Sequence, residues 1–244
     1  TYDYIKDPKQ YYQVYYKALY NKNISDGMSP AEAHKQASSD VSSQTSGKGP
    51  GYMIFTVPDG QDFIGTDGLV NPNATLGRKY SYNGQDYWLQ PDDWEKEALR
   101  NGFRQEYLAT IAGANEKINF YSSLGYLQNE GITDGSKMER ITGRLKADYQ
   151  AKTWLKVGAN VGYTKYDYDK VSEGTIGSTG NIWSFIHGIG PIYPIYLRDG
   201  NKNIMIDKWG EQMYDFGSGH GVERPAYSGS NPAFFNKYNV SKTD

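Results

Sequence analysis

Residues 138–166 of this chain read MERITGRLKADYQAKTWLKVGANVGYTKY, and they carry the clearest secondary-structure pattern in the sequence. Apolar and polar side chains alternate along it on both sides of a short break at Ala151–Thr153. Because successive side chains of a β-strand point to opposite faces, this alternation predicts two strands that each carry one apolar face. The apolar positions include Ile141, Leu145 and Ala147 in the first strand and Val157, Ala159 and Val161 in the second.

Two weaker alternating segments precede this pair, at 103–111 and 118–126. Together the four segments predict an antiparallel four-strand meander over residues 103–166. The predicted turns at Gly113–Asn115 and Ala151–Thr153 are short, and the other connections are longer. The pattern leaves two architectures open, a soluble β-sandwich and a segment of an outer-membrane β-barrel with short periplasmic turns. The predicted strands, of roughly 10–13 residues, are long enough to cross hydrocarbon at a tilt.

The regions on either side of the meander carry mainly helix and turn signals. Asp7–Pro8 and the capping box Ser29–Glu32 predict two helices near the start of the chain. Residues 42–89 are rich in turn dipeptides and are predicted to be loop, except for one predicted strand at Tyr52–Phe55, and a short helix is predicted at 91–100. The apolar stripe predicted for the first helix consists of Tyr11, Val14, Tyr15, Ala18 and Leu19.

The composition excludes several classes of protein. The 244 residues are 37% apolar and 15% aromatic, with a net charge of −2 and a mean hydropathy of −0.75. No apolar run approaches the ~20 residues of a membrane-spanning helix, and so many aromatic residues argue against a disordered chain. The nearly balanced charge predicts no nucleic-acid partner. Because cysteine is absent, disulfides, thiol nucleophiles and cysteine metal sites are excluded.

The sequence carries no catalytic or metal-binding constellation. The three histidines lie far apart, and no nucleophile or zinc motif occurs. Asp199–Asn203 spaces its oxygen atoms as in a calcium loop, but Ile204 stands where such a loop needs glycine. The dense carboxylates of Asp92–Glu97 more simply favour a helix N-terminus than a pair of catalytic acids. We therefore predict a protein that is not an enzyme and has no metal and no cofactor.

Aromatic residues beyond the meander are candidates for ligand contact. Their rings could stack on sugar rings or apolar ligand faces, or could simply pack the long loop against itself. Of six such residues, Trp183, Tyr193 and Tyr196 are the predicted ligand-contact candidates. The other three are Phe185, Trp209 and Tyr214.

Several short motifs follow one another in a fixed order along most of the chain. In the first half they are Tyr4–Tyr12, Gly27–Ala33, Asn71–Asn73, Asp93–Trp94, Gln105–Leu108, Gly113–Lys117 and Tyr121–Tyr126. In the second half they are Glu130–Gly131, Arg140, Arg144–Leu145, Trp154–Asn160, Pro191–Tyr196 and Asp199–Gly200. In this order of motifs the chain resembles the SusC/RagA-type TonB-dependent outer-membrane transporters.

The resemblance implies a mainly β fold, namely an antiparallel transmembrane β-barrel segment with long, partly helical extracellular loops. It implies that 103–166 is the barrel segment and that 1–102 and 167–244 are extracellular loop regions. The six apolar residues named first would then face lipid. The implied function is import of bulky nutrients, oligosaccharides or peptides, across the cell outer membrane, with a SusD-type surface lipoprotein as lid. Energy would come from the TonB complex acting through a plug region, and no residue would be catalytic.

The sequence also departs from the family pattern. It contains no TonB box, plug domain or closing strand, so we expect a fragment of a transporter. The alternative function is a secreted glycan-binding β-sheet module, and a glycoside hydrolase is a weaker alternative.

Overall fold

The computed structural model describes residues 4–45, 47–171, 182–238 and 240–243. The helices are α1 Pro8–Ser25, α2 Pro30–Val41, α3 Trp94–Ala98, α4 Ile182–Gly188 and α5 Pro232–Tyr238. The strands are β1 Phe55–Thr56, β2 Thr75–Leu76, β3 Arg78–Tyr82, β4 Gln85–Leu89, β5 Arg104–Ala114, β6 Ile118–Glu130, β7 Lys137–Lys152, β8 Leu155–Val171 and β9 Val240–Thr243. The fold is mainly antiparallel sheet with a few helices. Within the described residues, none of the helices is long and apolar enough to cross a bilayer.

The chain divides into two compact units. The loop unit consists of the described parts of 1–95 and 174–234, and the sheet unit consists of the described parts of 96–173 and 235–244. Two stretches that are separated along the sequence, and that the sequence analysis treats as separate loop regions, thus contribute to one unit.

The sheet unit is a five-stranded antiparallel sheet in the order β5-β6-β7-β8-β9. Its first four strands form the predicted meander, and all are at least as long as expected, with 11, 13, 16 and 17 residues. The fifth strand corrects the sequence analysis. β8 continues to Val171, and the chain returns at Val240 to pair with it, so 167–171 and 240–243 are strand and not loop. Their pairing supplies the backbone hydrogen bonds that an isolated loop segment lacks.

The connections between the strands are short at one end of the sheet and longer at the other, as the sequence predicts. Between β5 and β6 only three residues intervene, and the Asn115 side chain accepts hydrogen bonds from the backbone N–H groups of Lys117 and Ile118. Residues 153 and 154 join β7 to β8 at the same end. At the opposite end lie the 131–136 connection and the paired ends of β8 and β9.

Local signals account for the two long helices of the loop unit. The Asp7 carboxylate accepts a hydrogen bond from the backbone N–H of Lys9, and Ser29 and Glu32 form the predicted capping box. The predicted apolar stripe of α1 is wrong, because Tyr12 and Tyr16 are the buried tyrosines and Val14 is exposed. The phenol of Tyr12 turns inward to the backbone of Tyr52, and this hydrogen bond selects the buried face.

A β-hairpin, β3–β4, occupies part of the region predicted to be loop. Its two-residue turn, Asn83–Gly84, has φ of 50° and 78°. Positive φ at both central residues is the geometry of a type I′ turn, which Asn-Gly strongly favours. The sequence signal was therefore present, between the alternating residues of Arg78–Tyr82 and Gln85–Leu89.

The core of the loop unit combines aromatic packing with buried polar contacts. Tyr52 donates a hydrogen bond from its hydroxyl to the fully buried carboxylate of Asp215, with Oη to Oδ1 and Oδ2 distances of 2.9 and 3.0 Å. Burial and the nearby Asp215 charge raise the pKa of Tyr52 well above its usual value. The side-chain amide of Asn231 donates to the backbone oxygens of Ile195 and Asp215. The Tyr52–Asp215 contact joins segments that lie 163 residues apart.

Candidate functional site

The strand register brings all the predicted lipid-facing residues to one face of the sheet. Directly paired residues of antiparallel strands share a face, and Leu145 pairs with Val161 while Ala147 pairs with Ala159. Tyr149 pairs with Val157 and thereby extends the same face toward the short turns. Ile141 occupies this face at the other end, opposite Tyr126.

Two further strands continue this apolar face. Phe120 and Leu124 of β6 pair with Ala147 and Gly143, and Tyr107 and Ala109 of β5 pair with Tyr126 and Leu124. The side chains are open to the surroundings, as the relative exposures show for Tyr107 63%, Ile111 66%, Leu124 65%, Ile141 50%, Leu145 52%, Val157 55% and Val161 61%. Soluble proteins rarely expose a contiguous apolar surface spread over four strands. This surface, defined here as the apolar face, therefore fits an apolar medium or a partner better than water.

The opposite face of the same strands is mainly polar, although it also carries Leu108 and Tyr166. Arg144 lies next to Asn160, with Nε to Oδ1 at 3.4 Å, and Lys156 Nζ lies 3.8 Å from an Asp148 carboxylate oxygen. Arg140 reaches Glu106 of β5 at 3.5 Å. Exposed pairs of this kind contribute little to stability, about 0–1 kcal/mol each. These charged and polar side chains make this face of the sheet compatible with water.

Aromatic residues lie at both ends of the apolar face. Trp154 is 76% exposed in the short turn, and the Lys152 ammonium lies 5.8 Å from the centre of its ring. Tyr149 lies beside that turn, and Tyr163 lies toward the opposite end, 61% exposed. Amphipathic rings at two levels of a sheet are typical of strands that cross a bilayer.

The three ligand-contact candidates have different surroundings. Trp183 is exposed on α4, and its ring stacks on His187 with 6.4 Å between centroids. Tyr196 is half-buried, and its ring lies 5.1 Å from that of Tyr214. Tyr193 is only 4% exposed and therefore cannot offer its ring to a ligand at the surface.

Tyr193 instead belongs to the core of the loop unit. Its hydroxyl donates a hydrogen bond to the backbone oxygen of Pro50 at 2.8 Å, and its ring meets that of Tyr52 edge to face. The indole N–H of Trp94 donates to the Tyr193 carbonyl oxygen at 3.0 Å. Burial raises the pKa of the Tyr193 phenol, and the neighbouring Tyr11 adds to this. The ligand-contact prediction for Tyr193 is therefore corrected to a packing role.

The dense carboxylates near α3 also have a structural role. Asp92 receives two hydrogen bonds from the Arg198 guanidinium, at 2.6 and 2.9 Å, and a third from the backbone N–H of Ile195. Both side chains of this pair are largely buried. Asp199 uses its carboxylate to accept from the backbone N–H groups of Asn201 and Asn203. In the described part of the chain, no group of three or more acidic or histidine side chains is placed to hold a metal ion.

Comparisons with known proteins identify the class to which this chain is similar, the TonB-dependent receptors. The chain is 34% identical over 94 residues to TonB-dependent receptor P26 of Formosa agariphila, a match that covers 38% of this chain and 9% of that receptor. It is 29% identical over 136 residues to TonB-dependent receptor P3 of the same organism, covering 54% of this chain and 13% of the receptor. These matches confirm the resemblance found in the sequence motifs, to a segment of a TonB-dependent receptor. No family model matches the chain.

The chain spans only about a tenth of the length of these curated receptors. Among solved structures, it is similar to the RagAB peptide transporter, with a TM-score of 0.38 and 20% sequence identity. That likeness covers 56% of this chain and 14% of the transporter chain. The named relatives are receptors and transporters rather than enzymes.

Proposed function

We propose that this chain is a segment of a TonB-dependent transporter that imports bulky nutrients, oligosaccharides or peptides, across the outer membrane. The apolar face of the sheet is the observation that carries the proposal, together with the similarity to TonB-dependent receptors. In this arrangement β5–β8 form part of a barrel wall, with the apolar face toward lipid and the Arg144 face toward the lumen. Four or five strands leave open edges, so the barrel would need further strands of the parent receptor.

The same proposal assigns a side of the membrane to each end of the sheet. The short connections at 115–117 and 153–154 are periplasmic turns, because outer-membrane barrels have short turns on that side. Residues 1–102 and the described residues 182–238 then contribute extracellular loop regions. We further propose that these regions contact the ligand or a SusD-type surface lipoprotein and that the TonB complex acts through a plug elsewhere in the receptor.

Two adjacent residues on opposite faces provide a direct test. In the parent receptor, Leu145→Cys and Arg144→Cys are each labelled with an environment-sensitive fluorophore and reconstituted into lipid vesicles. The chain itself contains no other cysteine. We expect blue-shifted emission and quenching by lipid-attached quenchers at position 145, and water-like emission without such quenching at position 144.

The matched pair also separates this proposal from the secreted glycan-binding module. Equal emission at the two positions would contradict the lipid-facing assignment. A protein that carries this sheet and remains monomeric and folded without detergent would support the soluble module instead.

A further inference from the structure

The loop unit contains a groove of about 670 Å³ beside the β3–β4 hairpin, which the sequence analysis did not identify. Three cationic side chains, Arg78, Lys79 and Lys202, line it together with Trp88. Among the residues that the structure describes, no carboxylate lines this groove, although acidic residues outnumber basic ones in the chain as a whole. The groove is therefore a local concentration of positive charge in a slightly acidic protein.

Within the residues that the structure describes, only one of these three cations forms an ion pair with a carboxylate. Lys79 forms an ion pair with Asp86, with Nζ to Oδ2 at 2.7 Å. In the described part of the chain, no ion pair joins Arg78 or Lys202 to a carboxylate. Arg78 is half-buried, so its charge is less screened by water than that of a fully exposed side chain. Such a groove attracts an anion electrostatically.

Lys202 is held in position over Trp88. Its ammonium lies 4.5 Å from the centre of the indole ring. On the strand side, Gly77 approaches the same indole so closely that a Cβ there would clash with it. The Trp88 N–H donates a hydrogen bond to the side-chain oxygen of Gln90 at 3.0 Å. The ring is thus a fixed platform, and the cation–π contact sets where the Lys202 charge points.

The backbone of Lys202 has an unfavourable conformation, and this conformation positions the side chain over Trp88. Its φ of 74° lies in the left-handed region, which disfavours side chains other than glycine and asparagine. The turn is fixed by the Asp199 carbonyl oxygen, which accepts from the Lys202 N–H, and by the Asp199 carboxylate, which accepts from Asn203. The two residues that flank Lys202 are asparagines, which tolerate the left-handed conformation better than lysine does. The left-handed position is nevertheless occupied by the lysine. Strain that the surroundings enforce is a recognised mark of a functional position.

From these observations we propose that the groove is a binding subsite for the anionic groups, carboxylate or sulfate, of an acidic oligosaccharide. Lys202 and Arg78 contact the anionic oxygens, and Lys79 adds positive charge while it remains paired with Asp86. The proposal rests on the proposed function, because it names the chemical class of the imported ligand. It concerns the loop unit alone and does not depend on what the apolar face contacts.

An extended peptide fits the same groove less well. Peptides commonly bind by adding a strand to a free sheet edge, but β1 and β2 pair over only two residues each. The adjacent backbone groups of Gly77 are already used, since its N–H donates to Ile54 and its carbonyl oxygen accepts from the Thr56 hydroxyl. Side-chain recognition of anionic substituents therefore dominates this site.

Calorimetric titration of the parent receptor in detergent tests the proposal. The probes are a uronic-acid oligosaccharide, a sulfated oligosaccharide of equal length, a neutral oligosaccharide of equal length and a glutamate-rich peptide. We expect at least one anionic oligosaccharide to bind about tenfold or more tightly than the neutral one, with affinity that falls as salt is raised. Comparison of the two anionic oligosaccharides shows whether carboxylate or sulfate is preferred.

Matched lysine variants locate the site. Lys202→Gln should weaken binding about tenfold, the effect expected for one charge-assisted contact, and Lys202→Arg should retain most of the affinity. Lys208→Gln is the control, because Lys208 also lies over a tryptophan ring, at 4.2 Å from the centre of Trp209, but outside this groove. It should bind as the unmodified receptor does.

Several outcomes would overturn the inference. They are equal binding of neutral and anionic oligosaccharides, binding of the peptide alone, no binding of any probe, or an unchanged affinity in Lys202→Gln. Failure of the proposed function has a different signature, because it would appear as equal fluorophore emission at positions 144 and 145. The two tests can therefore fail independently.

Discussion

The sheet unit and the loop unit both contain large apolar side chains, but the sheet unit exposes them and the loop unit buries them. In the sheet unit, Leu124 and Val161 are 65% and 61% exposed. In the loop unit, Tyr12 and Ile192 are completely buried. Burial of a large apolar side chain contributes about 1.5–3 kcal/mol to stability. The loop unit obtains this stabilisation in water from its own core. The sheet unit gains it only if its apolar face meets another apolar surface or medium.

Polar groups show the same contrast in reverse. The loop unit buries Asp215 and the Asp92–Arg198 pair and surrounds them with hydrogen-bond donors and acceptors. The sheet unit carries charges such as Arg144 and Lys156 on its exposed polar face, where water solvates them. A buried charge is costly unless it is paired, so the stability of the loop unit depends on specific polar contacts. The stability of the sheet unit depends instead on the alternation of apolar and polar side chains along its strands.

The largest effect that this contrast predicts is at Asp215. Asp215→Ala leaves the Tyr52 hydroxyl and the backbone N–H of Gly217 without their buried acceptor. We expect a loss of about 3–5 kcal/mol in the stability of the loop unit, as for other broken buried networks. Protease susceptibility of the loop unit in the vesicle-reconstituted parent receptor measures this loss, and insertion of the sheet should be unaffected.

Asp207→Ala is the matched control for that change. The Asp207 carboxylate also accepts two backbone hydrogen bonds, from Trp209 and Glu211, but it is half-exposed, so water can replace it. We expect a loss of about 1 kcal/mol or less. Equal losses for the two variants would show that burial is not what makes Asp215 important.

The contrast also explains how much of the structure could be predicted from the sequence. The sheet was predictable because period-two alternation is a local property that each strand displays without its neighbours. Leu145, Val161 and the other apolar positions therefore fell on one face once the register was known. The extra strand β9 was missed because four residues carry too little alternation to recognise.

The core of the loop unit was not predictable, because its contacts connect distant segments. Tyr52 and Asp215 are 163 residues apart, and nothing in either local sequence marks them as partners. Tyr193 lies in a proline-rich loop whose surroundings suggest exposure, yet its hydroxyl reaches Pro50. The cationic groove depends on the Asp199–Asn203 turn and on the β3–β4 hairpin, and although each turn has a local sequence signal, nothing in either signal marks the two as neighbours.

A second prediction concerns the apolar face and its depth in a bilayer. Leu145→Arg places a charge at the middle of β7, and Ala159→Arg places one at the level of Ala147, two residues nearer the short turn, where lipid would surround both charges. The cost of arginine on a lipid-facing strand is about 2–4 kcal/mol at the midplane and about 0–1 kcal/mol at the interfaces. Leu155→Arg, beside the short turn, should therefore cost much less. Folding stability of the parent receptor in lipid vesicles measures the series.

Asn160→Arg is the control on the opposite face. Asn160 is next to Ala159 in sequence but lies on the polar side with Arg144, so we expect little loss of stability. A profile that does not vary with depth, or an equal loss at positions 159 and 160, would contradict the lipid-facing assignment.

The smallest predicted effect uses pH to distinguish the two units. Burial raises the pKa of Tyr193 above that of the same phenol in the unfolded chain, which is about 10. The folded form therefore keeps its proton above pH 10 while the unfolded form loses it, so stability is complete below pH 10 and falls as the pH rises further. Each such tyrosine steepens this fall by about 1.4 kcal/mol per pH unit. Tyr193→Phe should make the fall in loop-unit stability between about pH 10 and 11 smaller by about 1 kcal/mol, because the unfolded phenol is only half ionised at pH 10, with little change in slope between about pH 7 and 9. Protease susceptibility across this range is the measurement, and identical slopes in the variant and the unmodified receptor would show that the Tyr193 phenol can ionise without unfolding the loop unit.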